Sequence, residues 1–177
     1  ILYCPAGSMN YLHIETTLPK MIKIIKKILK EHKNDKGIIH AHTYKIVNYI
    51  KYNINNNRIL CHNSKNRDFI LKKHLNIEKP TVLVSPSMQE GVDLKDNLSR
   101  FQIICKTPFP YLGDKLTKKR MEKWKWWYSY ETAKKIVQSV GRSIRSSDDY
   151  ATTYLLDTCW EKFYFDNIKL FPRKFHS

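Results

Sequence analysis

Apolar residues recur along this chain with two periods. In LPKMIKIIKKILKEHKNDKG (18–37), Met21, Ile24, Ile25, Ile28 and Leu29 fall three and four apart, and lysines fill the positions between them. That spacing predicts an amphipathic helix ended by the NDKG turn. Short apolar runs follow: GIIHAHT (37–43), RILCH (58–62), PTVLVSPS (80–87), RFQIICKTPFP (100–110) and YATTYLLD (150–157). Each reads as a buried strand, and prolines stop the fourth. Residues 44–54 and 66–75 read as helices between them. Strands that alternate with helices and are apolar on both faces predict a parallel α/β sheet covered by helices on both sides. Ligands of such sheets bind beyond the carboxyl ends of the strands. The loops after Ala41, Val84, Lys106 and Leu156 are therefore the places to seek function.

One segment breaks the alternation. YLGDKLTKKRMEKWKWWYSYETAKK (111–135) is long and basic and holds three of the four tryptophans. It predicts a helix or helix pair laid over one end of the sheet. Trp124, Trp126, Trp127 and Tyr128 could cover the core, or could form a base-stacking surface with lysines tracking phosphates. Adjacent Trp126 and Trp127 cannot face the same way on a helix, so both roles can coexist.

Charge adds a partner class. The 177 residues carry a formal net charge of +16, which suits an acidic partner, most simply nucleic acid. Lys, Asn, Ile and Tyr are all abundant, as AT-rich coding produces, so part of that charge is compositional. No apolar run approaches the ~18 residues of a membrane span. Cys4, Cys61, Cys105 and Cys159 are scattered. They form no metal-ligand spacing and suggest a reducing, cytoplasmic setting. The length suits one domain, and a start at Ile1 without a targeting pattern reads as a piece of a longer protein.

Arginine is scarce, at 7 of the 32 cationic residues, yet two of the seven lie three apart in QSVGRSIRS (138–146). If 131–146 is helical, Ala133, Val137, Val140 and Ile144 form a core stripe. Gln138, Arg142 and Arg145 then form a second stripe at i, i+4 and i+7. Gly141 lies between the stripes, where a missing side chain would allow close approach. Two neighbouring guanidiniums need an anion between them: Asp148 or Asp149, or a polyphosphate, whose oxygens match the guanidinium fork.

QSVGRSIRS resembles motif VI, QxxGRxxR, of superfamily 2 helicases. SPSMQEGVDL (85–94) resembles their motif V as it stands in XPD/DinG-type DNA helicases, with viral and phage members the most similar. GIIHAHTYKIVNYI (37–50) resembles the motif IV region, and IICKTPFPYLGD (103–114) the strand and proline-rich turn after motif V. The order is the family's, over roughly residues 35 to 160. The resemblance implies a RecA-like second helicase domain covering residues 1–177. Residues 1–17 would be a lead-in from an upstream first domain, and 111–130 a helical insertion. No GxxxxGK[ST] and no DEAD-like box is present, so ATP and Mg²⁺ would be held mainly by that first domain. Any iron–sulfur cluster would also lie outside this chain.

The resemblance assigns Arg142 and Arg145 as arginine fingers for the γ-phosphate, with Gln138 positioning nucleotide or attacking water. Glu90, Gly91, Asp93 and Gly141 would lie at the nucleotide, with Asp93 either a ribose acceptor or a loop cap. His40, His42, Thr43, Ser85, Ser87 and Lys106 would face single-stranded DNA, with a core role the alternative for His40. The implied protein is a monomeric ATP-dependent helicase acting on single-stranded or forked DNA, in the host cytoplasm if viral. A non-catalytic basic nucleic-acid-binding module and a non-unwinding translocase are the competing readings.

Overall fold

The computed structural model describes residues 1–86, 94, 96–143 and 149–175. Six parallel strands form one sheet in the order β1-β6-β5-β2-β4-β3. The strands are β1 (Leu2–Gly7), β2 (Gly37–His40), β3 (Ile59–Cys61), β4 (Val82–Ser85), β5 (Phe101–Ile104) and β6 (Thr152–Asp157). The helices are α1 (Ile14–Glu31), α2 (Tyr44–Asn53), α3 (Arg67–Asn76), α4 (Lys115–Lys123), α5 (Trp127–Val140) and α6 (Cys159–Asp166). This is the parallel α/β sheet that the alternating pattern predicts and the RecA-like architecture that the resemblance implies.

Side-chain alternation divides the core. Ile39, Val82, Val84, Ile103 and Leu156 meet α1 and α2 on one face. On the other, Ile104 and Leu155 meet α5 and α6, while Ile38 and Leu83 meet Leu94 and α3. Phe101 is fully buried at the start of β5. Its ring lies where a side chain on Gly37 would stand, within 2.4 Å of an added Cβ, so the neighbouring strand must begin with glycine.

Three expectations need correction. Residues 2–7, expected as a lead-in, form the edge strand β1, paired with β6 through an irregular register between Tyr3 and Gly7. Pro5 disguises this strand in the sequence, but an edge tolerates its missing N–H. Helix α1 begins at Ile14 and carries Pro19 inside it, rather than starting beside that proline. Residues after 157, which gave no pattern, form α6. Its Trp160 and Phe163 cluster with Phe171 and Phe175. The expected insertion at 111–130 is α4 together with the first turn of α5.

The carboxyl edge of the sheet is fastened by one side chain. Asp157, buried at the end of β6, accepts hydrogen bonds from three main-chain amides: Met9 (3.2 Å), Thr107 (2.9 Å) and Cys159 (3.1 Å). These follow β1, β5 and β6 in the chain. Gly7 precedes the first of them at φ 139°, and an added Cβ would lie 2.7 Å from Thr17 Oγ1, so only glycine suits that turn. Replacing Asp157 by alanine leaves three amides without their acceptor and is expected to lower stability by about 3 kcal/mol. Asparagine keeps one carbonyl oxygen and should cost less. Urea unfolding of the two variants checks this, and a loss under about 1 kcal/mol for alanine would remove the fastening role.

Candidate nucleotide and nucleic-acid site

Past the carboxyl end of β2 the chain turns at His42, which adopts φ 64°. Left-handed backbone at a non-glycine residue is uncommon and tends to mark functional turns. Thr43 follows, and its hydroxyl accepts the Ile46 amide at 3.3 Å to cap α2. The half-buried His42 ring is held neutral, its pKa lowered to about 4, first by burial and then by the charges of Lys106 and Lys135. A hydrogen bond with the Phe109 main chain and the charge of Asp157 act the other way. The edge beyond β2 and β5 therefore presents two ammonium groups beside a neutral imidazole, an arrangement suited to phosphate. Lys135 is the residue that the sequence reading missed. Its signal was present: with Gln138 and Arg142 it continues one helical stripe at i, i+3 and i+7.

The second cluster lies at the other end of α5. The helix stops at Val140, and Gly141 and Arg142 form a turn whose amides bond to Val137 O (2.9 Å) and Ser139 O (3.1 Å). The stripe is thus carried by the helix as far as Gln138 and by the turn at Arg142, rather than by one helix through 146. Gly141 has φ −69°, and an added Cβ there would meet only its own helix's carbonyls, the nearer at 3.3 Å. Close approach by another element is therefore not what this glycine provides.

The turn is clamped from two sides. Gln102 Nε2 donates to Val140 O (3.1 Å) and to Thr153 Oγ1 (2.9 Å), which ties α5 to β5 and β6. Leu94 N donates to Arg142 O (3.1 Å), and the buried Ser99 and Ser143 hydroxyls bond at 2.7 Å. The end of the EGVDL stretch is therefore fixed to the main chain of the arginine turn. Gln138 Oε1 is buried with no hydrogen-bond partner among the described residues, so it is an acceptor left over by the fold.

His40 and Ser85 are not on the surface. His40 is 3% exposed, and it is in register with Ile104, which packs beneath α5. Its ring therefore lies on the α5 face of the sheet and faces no bound strand. Burial lowers its pKa to about 4, and the Arg142 charge adds to that, while Gln102 opposes it. Ser85 is buried, with its Oγ 2.8 Å from His62 Nε2. Ser87, Glu90, Gly91, Asp93 and Arg145 lie outside the described residues. Asp149, considered as a partner for the arginines, pairs with Arg100 at 2.9 Å.

A parallel RecA-like sheet, with a Gln/Arg turn joined to the preceding loop, is the frame of a helicase second domain. The chain matches the helicase C-terminal domain family over residues 20–169, and it belongs to that family. It is 31% identical over 93 residues to the ATP-dependent DNA helicase CHL1 of Candida albicans, covering 42% of this chain and 11% of that protein. It is 33% identical over 87 residues to the regulator of telomere elongation helicase 1 homolog of Caenorhabditis elegans, covering 40% and 9%. The aligned part is thus about a tenth of the length of these curated relatives. Among solved structures, apo XPD superposes with a TM-score of 0.76 at 19% identity, over 94% of this chain and 38% of the other.

Three histidines give this domain a pH signature. His40, His42 and His74 are each held near 4, below the ordinary 6.5, mainly by burial. His74 is also fixed by Leu98 O (3.0 Å) and the Thr81 hydroxyl (2.8 Å). Between about pH 6.5 and 4 the unfolded chain binds protons that the folded one does not. Stability is therefore full above pH 6.5 and falls as the pH drops through that window. Urea midpoints at pH 7.5 and pH 5 should differ clearly, and His74→Gln should flatten the slope. Equal midpoints would contradict the buried neutral imidazoles.

Proposed function

We propose that this chain is the second motor domain of an ATP-dependent DNA helicase, paired with a first RecA-like domain of the same protein. The observation that carries the reading is the clamped turn after α5. Its arginine main chain is bonded to Leu94, and the Gln138 oxygen is buried and unused. A main chain fixed at Leu94 sets where the Arg142 side chain starts, which suits a guanidinium that must meet a γ-phosphate across an interdomain cleft. In that role Arg142 and Arg145 offset charge that grows on the transferred phosphoryl group, and Gln138 orients the attacking water. ATP and Mg²⁺ would be held mainly by the partner domain. The name of the Candida albicans relative, an ATP-dependent DNA helicase, supports DNA as the polymer.

Coupling then runs along β5, whose four residues span roughly 10–13 Å. The arginine turn bonds beside its amino end through Ser99 and Gln102, and Lys106 leaves its carboxyl end. Single-stranded DNA would be gripped through phosphates at Lys106, Lys135 and the α2 amino terminus, without reading sequence. A shift of the turn on hydrolysis moves that edge as one body, which is what translocation and unwinding of a fork require.

In the parent protein, Arg142→Ala or Arg145→Ala should lower kcat for ATP about 10³-fold or more, with ATP binding nearly unchanged. Single-stranded DNA should stimulate the unsubstituted protein. Steady-state hydrolysis and nucleotide titration check both statements. Unsubstituted turnover in either variant removes the finger assignment, and no hydrolysis by the parent protein removes the motor.

A further inference from the structure

The α4–α5 junction is built unlike a core-covering insertion. Trp127 is half-buried with the Arg120 guanidinium 5.3 Å from its ring centre, and Tyr128 stacks on Phe109 at 5.8 Å and 6°. These two rings anchor the junction. Trp124 and Trp126 point the other way, 40% and 60% exposed. Helix α4 ends at Lys123, and the Trp127 amide bonds to Trp124 O at 3.0 Å. The intervening turn thus sets the two indoles outward on either side of Lys125. The exposed Tyr130 meets Trp126 edge-on at 5.6 Å.

Charge tells what these rings suit. Lys115, Lys118, Lys119, Arg120, Lys123 and Lys125 are all exposed, against Glu122 and an Asp114 already engaged in capping α4. Lys123 Nζ stands 4.7 Å from the Trp124 ring centre. Indoles interleaved with ammonium groups, with Trp126 and Tyr130 also bordering a groove lined by Phe165, Ile168 and Leu170, present planar apolar faces beside cations. They match a polymer that alternates planar bases with anionic phosphates. The junction is tied to the edge cluster through its anchor, because Tyr128 stacks on Phe109, three residues beyond Lys106.

We propose that the α4–α5 junction is a second single-strand binding surface, with Trp124 and Trp126 stacking on bases and the α4 cations holding the phosphates between them. It rests on the helicase reading only for the identity of the polymer. It adds a grip outside the motor cleft, so that a strand leaving Lys106 and Lys135 is retained between steps.

The test uses the parent protein and oligothymidylates of graded length, with affinity read by fluorescence anisotropy at fixed salt. Trp124→Ala/Trp126→Ala should weaken binding of long oligonucleotides about tenfold and of the shortest ones hardly at all. Its kcat for ATP at saturating DNA should stay unchanged. Trp124→Phe/Trp126→Phe should restore most of the affinity, which a merely structural role would not require. Equal affinity of the alanine variant and the unsubstituted protein at every length, with DNA-stimulated hydrolysis intact, overturns this surface and leaves the motor. An unsubstituted protein that binds no oligonucleotide removes both. Loss of binding to anionic vesicles in place of DNA would also overturn it.

Discussion

Much of this domain hangs on a buried carboxylate. Parallel strands end in loops whose first amides have no sheet partner, and a buried amide without an acceptor is costly. Asp157 takes three of them at once and draws the exits of β1, β5 and β6 together. Gly7 beside it must adopt a positive φ to bring Met9 there. The same carboxylate acts electrostatically on His42 across the edge. A group that settles the geometry of the edge therefore also sets the charge balance where phosphate is expected.

The other face of the sheet works by different means. His40, Gln102 and Thr153 form a buried polar band beneath the end of α5. Gln102 spends both amide protons on β6 and the Val140 carbonyl, and so fixes where the helix stops. Where α5 stops decides where Arg142 begins its turn. A hydrophobic residue at 102 would pack as well but would leave the Val140 carbonyl without this donor. The polar band is thus better explained as a positioning device than as core stability.

The sheet was legible because apolar runs on both faces leave few alternatives. Edge and tail were not. β1 contains a proline and carries mixed burial along its length, so no period marks it. The tail folds because Trp160, Phe163, Phe171 and Phe175 find one another, a pairing that exists only in three dimensions. Site residues divided in the same way. Gln138 and Arg142 were visible as a motif, and Lys135 only as an extension of their stripe. His40 and Ser85 looked accessible because they end strands, yet the sheet edge is thick enough to bury both. The tryptophans divided by backbone geometry, since the turn at 124–126 and the helix start at 127 send neighbours in opposite directions.

On the proposed function, nucleotide and polymer would be read by one stiff element rather than by a chain of loops. The arginine turn touches β5 near its start, Lys106 follows its end, and Phe101 locks it into the core. A four-residue strand paired on both sides cannot bend independently of β2 and β6. Motion at the turn must therefore appear at the edge as rotation of the whole sheet, with little lost to internal strain. On the proposed function, that stiffness is what would let this domain carry displacement from one end of β5 to the other.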